Sequence, residues 1–478
     1  MNTACKRTDS FIMYVTLLLI SAVINACGAD GPIEENEYNP APYVYQTGDW
    51  DRYDIINLEG TAAINPNIHA RLDDDGRVHI FYYRRGETYQ GNQTRYQIHH
   101  LVWDPLTVQP EGEEEIIAVQ PPNPGDAQDS GLNNCLVLET AMDRYGYPVV
   151  AYQGGDIPQA DDGTICNLTA QGDLMINRQS GALWEEYLGI MGDASQKNPY
   201  FTDGYVGVAA SIAVDGEGAI HMCGQHYYEF CDWTSTNYPD LLYVRQSPDQ
   251  LGHYSTGREE LVDDYNIFDG GGGVQSDMGY HCKLVLDTND NPYIFYVGTP
   301  IQDGIGEDRR MLRMASKSGE QWIPEPIEIL DGWDVAWLSA AMDADGRPAV
   351  AYFMQNVDPD GDYPDHLRYA WRDNEGQWHI AVVDNASQCG NHCSLAFDSR
   401  GNPAIAYYDL SARSATYRIH KDLKFAYFDG AGWQTETVAT AGDIGQYNTL
   451  WFDAEGFATV CTYELNEQEI VILRRRNH

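Results

Sequence analysis

Short apolar runs punctuated by turn residues recur along most of the chain, and the clearest copy spans 391–438. It opens with Leu395-Ala396-Phe397-Asp398 and continues past Gly401-Asn402-Pro403 as Ala404-Ile405-Ala406-Tyr407-Tyr408. It resumes at Leu423-Lys424-Phe425-Ala426-Tyr427-Phe428 and, after Asp429-Gly430-Ala431-Gly432, ends with Trp433 to Val438. Runs of β-branched and aromatic residues bounded by Gly, Pro and Asp are strands joined by turns. The Asp-x-x-Gly step supplies a tight hairpin because glycine takes a positive φ at no steric cost. The pattern predicts one four-stranded antiparallel sheet, with strands A to D.

The same unit repeats. Asp398 has counterparts at Asp73, Asp143, Asp215, Asp287, Asp343 and Asp453, each after an apolar residue. Glycine follows three positions later at Gly76, Gly146, Gly218, Gly346, Gly401 and Gly456, and the fourth copy has Asp290-Asn291 there, which tolerate the same backbone. The Trp that opens strand D recurs at Trp184, Trp322 and Trp378. The copies are spaced by roughly 70 residues early in the chain and roughly 55 later, so the early ones carry longer loops. Four-strand repeats of this length predict a propeller, because each sheet is apolar on both faces and is sandwiched by its neighbours. A stacked solenoid is the rival arrangement.

The seventh copy has strands A, B and C but no D before the end of the sequence. An orphan D-type strand, Trp50-Asp51-Arg52-Tyr53-Asp54-Ile55-Ile56, stands ahead of the first copy. The expected fold is therefore all-β: a seven-bladed β-propeller of four-stranded antiparallel blades over 49–478, its ring closed by the N-terminal strand.

Ahead of the ring, Lys6 and Arg7 precede an apolar run from Phe11 to Ile24, which reads as a secretory signal over 1–26, too short for a comfortable membrane span. Ala26-Cys27 resembles the bacterial lipoprotein cleavage site, implying lipidation of Cys27 and a tether over 27–48. Gly28 after that cysteine points to the outer membrane, and the membrane is expected to hold the protein only through this anchor. An ordinary signal peptide cut nearby is the alternative. Acidic residues outnumber Lys and Arg by 72 to 29, for a formal charge of −43. Such a charge disfavours nucleic acid, anionic lipid and polyanionic glycans as partners and favours neutral ligands or cations. A monomer is expected.

In an oxidising compartment disulfides are the default for the eight cysteines beyond Cys5 and Cys27. The nearest pairings are Cys135 with Cys166, Cys223 with Cys231, and Cys389 with Cys393, leaving Cys282 and Cys461 without an obvious partner.

Candidate chemistry concentrates on one face. The long loops are all B–C loops and stand on one rim, beside the start of strand A. Six residues before each turn aspartate the row reads Asn67, Val137, Ala209, His281, Trp337, His392, Tyr447. Four consecutive blades thus offer His281, Trp337, His392 and Tyr447 to one mouth of the channel, as a ligand platform, a metal or proton-transfer site, or simply satisfied histidines. Within 358–365, Asp358, Asp360, Asp362 and Asp365 alternate around Gly361, a pattern suited to Ca²⁺; a solvated acidic loop is the alternative.

The third copy, Gly218-Ala219-Ile220-His221-Met222-Cys223-Gly224-Gln225-His226 with Leu241-Leu242-Tyr243-Val244-Arg245, resembles the repeats of sialidase-like (BNR-type) propellers, including the ulvan-lyase group of polysaccharide lyases. That resemblance implies His226 and Arg245 as catalytic candidates. The general repeat is similar to those of bacterial secreted propellers and carries fold rather than activity. Two functions compete: a surface-tethered module binding a glycan or protein ligand, and a polysaccharide lyase or other glycan-active enzyme.

Overall fold

The computed structural model describes residues 49–61, 66–89, 93–119, 138–154, 173–181, 183–190, 203–229, 240–248, 257–263, 278–299, 310–330, 333–356, 365–386, 388–410, 421–440 and 442–476. They form seven four-stranded antiparallel sheets, each in A-B-C-D order. Blades 1 to 6 occupy 69–119, 138–190, 203–263, 278–329, 333–384 and 389–439. Blade 7 takes its strands A to C from 444–475, and its D strand is Trp50–Asn57. That strand pairs antiparallel with Glu469–Arg475, from Trp50 opposite Arg475 to Asn57 opposite Glu469. Blade 7 then packs on blade 1, where Ile68, Ile80 and Leu101 share a core with Cys461, Ile470 and Ile472. The predicted closure holds.

The repeated aspartate earns its place at the A–B hairpin. In blade 6 the Gly401 N–H donates to Asp398 O at 2.9 Å, while Asp398 Oδ1 accepts from Arg400 N and Asn402 N, both at 2.8 Å. A carboxylate this short reaches the two backbone donors that the turn would otherwise leave unmet. Asp290 replaces the glycine of blade 4 at φ 63°, as its tolerance of the left-handed region predicts.

Strand B is sandwiched on both faces, so it reads as an unbroken apolar run: residues 348–354 are all buried. Indole N–H groups tie neighbouring blades together. Trp184 donates to Glu115 at 3.2 Å, Trp322 to Glu260 at 3.0 Å and Trp378 to Glu325 at 3.0 Å, in each case the D strand of the preceding blade. Trp50 donates to Glu436 of blade 6 at 2.7 Å, so the N-terminal strand does for blade 7 what Trp184, Trp322 and Trp378 do for blades 2, 4 and 5.

One sequence expectation fails outright. Cys389 and Cys393 are not bridged: both lie on strand A of blade 6 as free thiols, and each is directed at a different neighbour. Cys393 instead points its thiol at Ala351 O of blade 5 at 3.6 Å, and Cys389 lies 3.9 Å from Lys424 Nζ. Cys223 is likewise a thiol, while Cys231, Cys135, Cys166 and Cys27 lie outside the described residues.

Candidate functional site

Strand A of blades 4, 6 and 7 begins with a shared irregularity. Gly279, Gly390 and Gly445 have φ of 87°, 124° and 119°, and two residues later His281, His392 and Tyr447 have φ of 51°, 48° and 55°. Pairing with strand B slips twice across each of these segments. Bulges of this kind re-aim side chains. Here they fall at His281, His392 and Tyr447, each of which is partly exposed. A Cβ on Gly390 or Gly445 would meet Leu367 or Tyr408 at 3.0 and 2.9 Å, so close packing reinforces the need for glycine.

The rings converge. Trp337 of blade 5 lies with its centroid 4.0 Å from His392 and 6.3 Å from His281, and His392 lies 4.7 Å from Tyr447. Tyr280 adds an edge contact to His281 at 4.0 Å. All four residues of the expected row are thus one cluster built from four consecutive blades. Burial lowers both imidazoles to about 3, helped at His281 by Arg310 and Lys283 and at His392 by Lys421. Both rings are therefore neutral at physiological pH, with donor and acceptor nitrogens. His392 Nδ1 has no hydrogen-bond partner among the described residues, nor has the side-chain oxygen of Asn448, whose amide donates to His392 O at 3.0 Å and Gly445 O at 2.7 Å.

One step further along strand A lies a layer that sequence reasoning missed. Four residues before each turn aspartate stand His69, Glu139, Ser211, Lys283, Ser339, Ser394 and Thr449. In blades 5, 6 and 7 the hydroxyls stitch the ring: Ser339, Ser394 and Thr449 accept from Leu395 N at 3.0 Å, Leu450 N at 2.9 Å and Ala70 N at 3.3 Å of the next blade. In blades 1, 2 and 4 charged groups or imidazole replace them. Lys283 reaches past blade 3 to bond Glu139, with His69 Nε2 4.0 Å from the same carboxylate. Burial opposes the charge on Glu139, but Lys283 and His69 hold its carboxyl below the usual range. Counting back four residues instead of six would have exposed this row; the contact across the ring was not readable.

The lyase candidates do not meet. Arg245 pairs with His221 in register, while His226 pairs with Asp240 at the other end of the same strands. Five residues of strand put them ~16 Å apart. Arg245 is committed to the blade itself, donating to Asp215 Oδ2 at 2.5 Å, where His221 Nε2 also lies at 3.1 Å. Blades 2 and 7 repeat this ion pair as Arg178–Asp143 and Arg474–Asp453. Nothing is described of the His226 side chain.

Of the calcium candidates, Asp358, Asp360 and Asp362 lie outside the described residues. Asp365 Oδ1 accepts from Asn356 N at 2.8 Å, and burial pushes its carboxyl up. Among the described residues no group of three or more His, Cys, Asp or Glu side chains is placed to hold a metal. At the opposite end of the ring, a cavity of about 510 Å³ between blades 1 and 2 is lined by Asp73, Arg77, His79, Glu111 and Tyr145. Arg77 already engages Glu111 at 2.8 Å and Asp75 at 3.1 Å, so its charges are spent internally.

No protein-family model matches the chain, and no curated protein matches it in sequence. Solved structures match the fold. A PL25 ulvan lyase bound to -[GlcA(1-4)Rha3S]- superposes with a TM-score of 0.53 and 13% identity, over 89% of this chain and 95% of that one. The polysaccharide lyase Uly1 gives a TM-score of 0.50 and 10% identity over 94% of each chain. At such identity the likeness speaks to the propeller architecture alone.

Proposed function

We propose that the chain is an exported propeller, tethered through Cys27, that binds a glycan at the channel mouth formed by His281, Trp337, His392 and Tyr447. The observation that supports this reading is the ring cluster itself: four aromatic or imidazole side chains from four consecutive blades, three of them on left-handed backbone. Left-handed φ at a non-glycine residue costs roughly 1–2 kcal/mol, and such outliers persist where a site demands them. An indole flanked by neutral imidazoles and a phenol suits the apolar face of a sugar, with imidazole nitrogens to meet its polar edge.

Calorimetric titration with a panel of neutral and acidic oligosaccharides tests the reading. A ligand should be found whose affinity falls roughly tenfold or more in Trp337→Ala. A panel without a binder, or a binder indifferent to Trp337, overturns it. Unsaturated sugar products appearing in the same incubations would move the reading to the lyase alternative.

A further inference from the structure

The interfaces between blades repeat one contact that the sequence numbering exposes. The strand A residue five before the turn aspartate faces the strand B residue eight after the turn aspartate of the preceding blade. Leu138 meets Phe81 in this way, Leu338 meets Phe295, and Cys393 meets Ala351, each pair within one buried cluster. The 3.6 Å approach of the Cys393 thiol to Ala351 O shows how close the two positions come.

Applied to the junction of blades 3 and 4, the same offset sets Cys282 against Cys223. Among the described residues no other such junction has cysteine on both sides. The placement bears this out: both side chains are at most 1% exposed, and both belong to one core cluster. The junction is pinned nearby, since Gln225 of blade 3 donates to Met278 O of blade 4 at 2.9 Å. The two residues thus face each other between strands already held in place.

We propose that Cys223 and Cys282 are joined by a disulfide in the mature protein, stapling blade 3 to blade 4 one residue from His281. The reaction is thiol–disulfide exchange with a disulfide-bearing oxidant such as glutathione disulfide or an oxidoreductase of the export compartment. One cysteine thiolate attacks the oxidant and releases its first thiol. The second cysteine thiolate then displaces the other, so two protein thiols become one disulfide and the oxidant's disulfide becomes two thiols. Burial keeps oxidant from the finished interface, so the bond forms while blades 3 and 4 are coming together.

The test is peptide mapping of the full chain refolded in a glutathione redox buffer, alkylated without reductant and digested. The peptides holding Cys223 and Cys282 are expected as one linked species, two hydrogens lighter than their sum, which separates on reduction. Reductant should lower the melting temperature of the wild type, and part of that fall should vanish in Cys282→Ala. Alkylation of both cysteines in the oxidised protein overturns the proposal, as does a link from Cys223 to Cys231 or to any other cysteine. The mapping is done on the wild type, so it stands even where the variant fails to fold.

Discussion

His392 sits at φ 48° with its ring 4.0 Å from Trp337, so its backbone and its side chain make opposite contributions to stability. Replacement by alanine keeps the strained backbone and loses the ring; replacement by glycine loses the ring and relieves the strain. His392→Gly is therefore expected to be more stable than His392→Ala by about 1 kcal/mol, a reversal of the usual order, read from urea unfolding. Equal stabilities would mean that the left-handed backbone carries no cost. The same two imidazoles set a pH dependence. His281 and His392 stay neutral in the fold down to about 3, whereas the unfolded chain protonates them near 6.5. Between those values the unfolded state binds more protons, so stability is whole above pH 6.5 and falls as pH drops towards 3. The urea midpoint of His281→Gln/His392→Gln should decline less steeply across that window. Ligand affinity at the mouth, by contrast, should be flat from pH 6 to 8. This row was legible because every turn aspartate is a fixed point from which to count. Nearness in sequence misled for Cys389 and Cys393, whose thiols turn to different neighbours, Lys424 of the same blade and Ala351 of blade 5.

At the scale of the strand, position within the blade decides role. The resemblance that offered His226 and Arg245 carries no register, and register places Arg245 at the hairpin end, where the turn aspartate binds it. A single strand of sequence shows residue types but not which strand lies opposite. Strand A hydroxyls illustrate the converse. Ser394 Oγ accepts from Leu450 N at 2.9 Å, and Ser394→Ala would leave that N–H unmet at the inner ring. A loss of about 1–2 kcal/mol in denaturant unfolding is expected; no loss would mean water takes over the bond. Calcium in the loop at 358–365 is tested by melting with and without Ca²⁺: a rise that Asp360→Ala abolishes places the ion there, and no rise ends the idea.

For the molecule as a whole, the acidic excess has a structural address. Carboxylates crowd the outermost strands, as in Gln109–Val119 with Glu111, Glu113, Glu114 and Glu115, or Leu183–Ile190 with Glu185 and Glu186. Those strands are sheet edges, and like charge along them opposes pairing with another chain. Exposed Ile116, Leu183, Ile323 and Val382 on the same strands show what the charge guards. The ring's integrity rests on Trp50, 4% exposed and packed on Phe425 with centroids 5.3 Å apart. Trp50→Ala is expected to cost about 3–5 kcal/mol and to promote aggregation through the loosened edge of blade 7, checked by thermal melting and light scattering. An unchanged melting temperature would show that the ring does not depend on this strand.

The pairing of residues 50–57 with 469–475 also imposes an order on synthesis. The strand at 50–57 has no partner until residues 469–475 have been made, so it waits while six sheets assemble. A product cut short anywhere leaves its opening segment unpaired and sticky, a signal that chaperones and proteases recognise. Closure of the ring therefore waits on the strand at 469–475, and until it arrives the opening strand is a marker of an unfinished fold.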